Sequence, residues 1–121
     1  LSDKGFSRTQ DIMNNEYYLK ELEPDFIHRI PENYFISFYG IPAKDSIWGL
    51  KFSGHHIALN FTIVNNKLAF SPIFFGVYPA EIKSGKNTGR RIIKEEEDIG
   101  FELINMLTIE QKAEAIFKSD L

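Results

Sequence analysis

An α+β domain is what this sequence predicts: a four-stranded, mostly antiparallel meander sheet with helices from the N- and C-terminal segments packed on one face. Three observations carry that prediction. Between Tyr34 and Phe75, apolar and β-branched residues alternate with polar ones, and short turn-forming pairs cut the run into strands. Both ends of the chain instead place apolar residues at helical spacing, bounded by capping residues or proline. At 121 residues there is material for a single domain with a single core.

A first helix is expected over residues 2–22. Ser2 is an N-cap type, Asp3 suits a first turn, Phe6, Ile12, Met13 and Tyr17 recur at near-helical intervals, and Pro24 stops the helix. The segment bracketed by Pro24 and Pro31 reads as a loop. The aromatic and β-branched run 34–39, closed by Gly40-Ile41-Pro42, is the first strand, and residues 47–52 are the second. Ser53-Gly54 reads as a two-residue hairpin turn into a central strand. Asn65-Asn66 reads as another, because Asn tolerates the left-handed conformation that primed turns require. Residues 68–75 form the fourth strand, where Pro72 marks an edge or a bulge.

These turns imply a register. Phe52 falls opposite His55, Leu50 opposite Ile57 and Trp48 opposite Leu59; beyond the second turn Ile63 falls opposite Leu68, Phe61 opposite Phe70 and Leu59 opposite Pro72. One face then collects Trp48, Leu50, Phe52, Ile57, Leu59, Phe61, Ile63, Leu68, Phe70 and Phe74, and this is the expected core. The other face holds Lys51, His56, Ala58, Asn60, Thr62, Ala69 and Ser71. A long loop over 75–88 follows, then a helix over 90–107 whose apolar stripe of Ile92, Ile93, Ile99, Leu103 and Leu107 takes in Glu96. Thr108 and Gln111 form a capping box that starts a last short helix running through Phe117.

Composition narrows the function classes. Eleven Phe, five Tyr and one Trp with 26% charged residues describe an ordered chain with an aromatic core. A net charge of -3 supplies no basic footprint for phosphates, so nucleic acid is not an expected partner. With no Cys there is no disulfide and no thiolate chemistry. No apolar run reaches the roughly 18 residues of a membrane span, and no secretory pattern opens the chain. A start at Leu1 rather than Met points to a portion of a longer protein.

The chemistry-bearing residues centre on Gly54-His55-His56, which holds two of the three histidines. His56, set across from Lys51, would lose basicity and stay neutral, as a general base or ligand requires. His55 is the second catalytic candidate and Glu96 the third, with Lys51, Asn60, Arg90 and Glu81 as ligand-binding candidates. Adjacent residues of a strand point to opposite faces, so the pair holds no single metal without a bulge at Gly54-His55 or ligands from elsewhere, and no metal is expected. No cofactor is identified. The glycines and bases of residues 84–91 do not have Walker spacing, and no Gly-x-Ser-x-Gly elbow is present, which leaves Ser53 as a formal nucleophile only. The expectation is therefore a hydrolase-like or small-ligand-binding site on this strand. Its rival is a non-catalytic structural or interaction module in which the His pair and Glu96 form a satisfied polar cluster. The fourth-strand edge is a candidate for pairing with a second copy or with other parts of a parent protein.

The run Trp48-Gly49-Leu50-Lys51-Phe52-Ser53-Gly54-His55-His56-Ile57-Ala58-Leu59-Asn60-Phe61-Thr62, with Pro72-Ile73-Phe74-Phe75-Gly76, Pro79-Ala80-Glu81 and Glu96-Glu97-Asp98, resembles the domain-of-unknown-function family numbered 3500. The likeness takes in the opening Leu1-Ser2-Asp3-Lys4-Gly5-Phe6 and the closing Glu110-Gln111-Lys112-Ala113. That family is functionally uncharacterised, so the resemblance implies no reaction. It does imply a longer parent chain and, for many members, export.

Overall fold

A computed structural model of the protein describes residues 1–27 and 29–117. Helix α1 (Asp3–Leu22) starts where Ser2 places it, with the Ser2 hydroxyl accepting from the Gly5 N–H at 3.2 Å. Its buried residues are Thr9, Ile12, Asn15, Glu16 and Leu19, and their three- and four-residue spacing makes one stripe. Phe6 and Tyr17, expected among its apolar positions, are exposed. After a short 3₁₀ turn at Pro31–Asn33, four antiparallel strands follow in the order β1 (Phe35–Tyr39), β2 (Ile47–Ser53), β3 (Ile57–Val64) and β4 (Lys67–Phe75), each beside the next.

The β2–β3 register differs from the sequence expectation. Phe52 pairs with Leu59 rather than His55, and Ser53 pairs with Ala58. The Gly54 N–H donates to the Ile57 carbonyl at 2.9 Å, so His55 and His56 form the tip of the hairpin and leave the ladder altogether. The shift is an even number of residues, which keeps the paired side chains of β2 and β3 on their expected faces, while His56 leaves the outer face it was expected on. Asn65 and Asn66 do adopt positive φ, 47° and 61°, and make the second turn.

On the far side, Ile63 meets Leu68 and Phe61 meets Phe70 as expected, but the register slips by one between Leu59 and Phe61. The slip brings Leu59 opposite Ile73 and Ile57 opposite Phe75, and it moves Phe74 across from Ala58 on the other face, so Phe74 does not belong to the core. Pro72 lies in this bulge, where the Asn60 side-chain amide donates to its carbonyl at 2.8 Å.

The core forms where α1 lies on the inner face. Ile12, Ile57 and Leu59 are its fully buried centre, with Met13, Tyr34, Phe52, Phe61, Phe75, Val77 and Ile92 packed around them. Leu59→Ala, in the middle of that cluster, is expected to cost about 2–5 kcal/mol, read as a lower urea midpoint with an unchanged denaturant slope.

Residues 76–93 are fastened to α1. Asn15 donates to the Tyr78 carbonyl at 2.8 Å, the Lys83 N–H donates to the Tyr18 hydroxyl at 3.0 Å, and Ile82 of this segment is buried. Helix α2 (Lys94–Met106) begins later than the expected residue 90, because Arg91 folds forward onto Glu97 and Asp98 instead of entering the helix. It contributes no buried residue and is joined to α1 by the Lys4–Glu95 and Arg8–Glu96 ion pairs. Helix α3 (Ile109–Ala115) carries the expected capping box at Thr108 and Gln111 and ends before Phe117. No helix among the described residues is long and apolar enough to cross a membrane.

Candidate functional site

The hairpin tip makes the site. On a strand His55 and His56 would face opposite ways, but at the tip both rings turn toward α1, with their centroids 3.9 Å apart. They converge on Glu16, whose side chain is 0% exposed: His55 Nδ1 lies 3.1 Å from Oε2 and His56 Nδ1 lies 3.4 Å from Oε1. Tyr34, just ahead of β1, completes the cluster. Its hydroxyl donates to Glu16 Oε1 at 2.7 Å and accepts from the His56 backbone N–H at 3.2 Å.

Two glycines make room for this arrangement. A Cβ on Gly54 would sit 2.4 Å from the Tyr34 ring, so that ring can lie across the turn only because residue 54 has no side chain. At Gly76, whose N–H donates to the His56 carbonyl at 2.7 Å, a Cβ would meet the Phe74 ring at 2.8 Å and His56 itself at 3.3 Å.

A buried carboxylate is costly unless donors surround it, and Glu16 has a tyrosine hydroxyl and two imidazoles. Burial, more than any other influence, lowers the basicity of His56; the neighbouring His55 lowers it further, and Glu16 opposes both. Arg29 adds a smaller push in the same direction, although its guanidinium is engaged by Glu23 and lies over the Phe26 ring. The Tyr34 hydroxyl is held well above its usual acidity range, first by burial and then by its hydrogen bond to Glu16, so it stays protonated as a donor. The cluster reaches solvent mainly through His55, whose side chain is 38% exposed against 15% for His56.

The other residues picked out from sequence lie elsewhere. Lys51 and Asn60 are direct cross-strand partners on the outer face, and they line a concavity of about 410 Å³ with Tyr39, Gly49 and Thr62, into which neither histidine reaches. Glu96 pairs with Arg8, Arg90 with Asp11 at 2.6 Å, and Glu81 with Lys83 at 3.1 Å. The carboxylate that meets the His pair is thus Glu16, which the sequence reading overlooked, and not Glu96. Its signal was present: Glu16 lies on the same helical stripe as Ile12 and Leu19, where an acid must have a partner. Tyr34 carried no comparable signal, since it reads as an ordinary strand aromatic.

No curated protein and no solved structure matches the chain. A family model matches residues 1–121, the whole length. The chain therefore belongs to the family described as Protein of unknown function (DUF3500).

Proposed function

We propose that Glu16, His55, His56 and Tyr34 form the functional centre of the domain, a small-ligand site of hydrolytic type at the tip of the β2–β3 hairpin. The observation that supports it best is a carboxylate with no exposed surface holding the Nδ1 of a half-exposed histidine at 3.1 Å. With its Nδ1 proton donated to Glu16, His55 presents the lone pair of Nε2 outward, the form in which an imidazole takes a proton from water or a substrate hydroxyl. Perturbed titratable groups gathered around one carboxylate are characteristic of functional sites.

A second reading, a structural polar cluster, is favoured by the fact that both Glu16 oxygens already have donors. Thermal unfolding with phosphate, simple carboxylates and sugars, joined to a screen of chromogenic esters and phosphoesters, separates the two. The proposed site is expected to show a midpoint raised by roughly 10 °C at a hundredfold excess over Kd, or measurable hydrolysis, and to lose either in His55→Ala, a variant that stays folded but gives up the stability of its contact with Glu16. No response to any compound, together with a clear loss of stability in His55→Ala, would establish the structural cluster instead.

A further inference from the structure

We propose that Glu16, His55 and His56 are the protein ligands of a divalent cation of the zinc class, held at the hairpin tip with one coordination position left outward. This rests on the reading of the cluster as a functional centre and names what it binds first; with the ion held at Nδ1 the outward Nε2 of His55 carries the proton, so the base role of His55 belongs to the metal-free form.

The donor set selects the ion. Two imidazole nitrogens and one carboxylate oxygen suit Zn²⁺ and its first-row neighbours, whereas Mg²⁺ and Ca²⁺ take oxygen ligands. The spacing suits it too. Bonds of about 2.0–2.1 Å at tetrahedral angles set neighbouring ligand atoms about 3.4 Å apart. In the structure the Nδ1 atoms of His55 and His56 lie 3.1 Å and 3.4 Å from the two oxygens of Glu16, and one ligand atom from each residue falls within 4.8 Å of both others. Each histidine nitrogen therefore stands about one tetrahedral edge from its own oxygen of Glu16, and closing the three ligand atoms from within 4.8 Å onto one ion takes only side-chain adjustment, with the proton on each Nδ1 passing to Nε2.

The surroundings match a catalytic site rather than a closed structural one. Three protein ligands with an open fourth position is the arrangement of catalytic zinc, and the exposed His55 side leaves that position facing solvent. Behind the ligands, Tyr34 holds Glu16 Oε1 at 2.7 Å and is itself fixed by the His56 N–H, the kind of outer hydrogen bonding that sets a ligand's direction. Charge is compatible as well. Glu16 gives one negative charge to two positive, and Arg29, the cation that His56 senses, is paired with Glu23.

Equilibrium dialysis against ZnCl₂, with CoCl₂ as a visible-absorbing surrogate, tests the site without reference to activity. The expected result is one equivalent bound, intense visible bands of four- or five-coordinate Co²⁺, no competition from Mg²⁺, and at least a hundredfold loss of affinity in both His55→Ala and His56→Ala. Lys51→Ala, on the outer face, is expected to bind as the parent does. Glu16→Gln adds a third variant where it folds, and the histidine variants decide the matter where it does not. Absence of stoichiometric Zn²⁺, or binding unchanged in either histidine variant, overturns the proposal. Ligand binding or hydrolysis that persists in chelator and is lost in His55→Ala would overturn the metal while leaving the functional centre intact; one bound Zn²⁺ with no ligand response would do the reverse.

Discussion

Glu16→Ala is expected to lower stability by about 3–5 kcal/mol, a large part of what a domain of this size has. The loss has little to do with side-chain volume. Truncation leaves the Tyr34 hydroxyl and the largely buried His56 ring without their shared acceptor, and costs His55 less because that ring reaches solvent. Glu16→Gln keeps the volume and one acceptor oxygen, so it is expected to lose only about half as much. Chemical denaturation of the two variants and the parent, with circular dichroism as the signal, checks the ranking. Equal losses would mean that charge, and not the count of acceptors, governs the cluster.

Gly54→Ala is the second large effect, expected at about 2–4 kcal/mol from overpacking together with broken hydrogen bonds. The new Cβ would stand 2.4–2.7 Å from three atoms of the Tyr34 ring. That ring cannot move away freely, since it packs against Phe52 with centroids 5.9 Å apart and is tied to Glu16 and to the His56 N–H through its hydroxyl. Relief of the clash therefore breaks the cluster. A double-mutant cycle with Tyr34→Ala checks this cause: in the Tyr34→Ala background the glycine substitution is expected to cost less than about 1 kcal/mol, and additive losses would show that backbone conformation at residue 54 is responsible instead.

Features with a local physical cause were legible in the sequence. Asn65-Asn66 makes a turn because both residues accept positive φ; Pro72 disrupts the ladder because it has no N–H to give; Ser2 and Thr108 cap helices through their own hydroxyls. The hairpin tip was misplaced because Ser53-Gly54 is the stronger local turn signal, and what moves the turn to His55-His56 is the Tyr34 ring lying across Gly54, a contact between segments 20 residues apart in the chain. Half the candidate site was found, the two histidines, and half missed. An acid on a helix ordinarily reads as solvated, and the place of Glu16 on the Ile12–Leu19 stripe is the cue that it is buried where α1 docks on the sheet.

The meander has a kinetic consequence. Every strand pairs with its neighbour in sequence, so the three hairpins close through short loops, but Glu16 meets His55 only across a sequence separation of 39. The sheet can form by local steps, whereas the cluster exists only once α1 has docked. The tip histidines therefore lack Glu16 in any chain whose α1 has not docked, and the appearance of the Glu16–histidine cluster reports that docking.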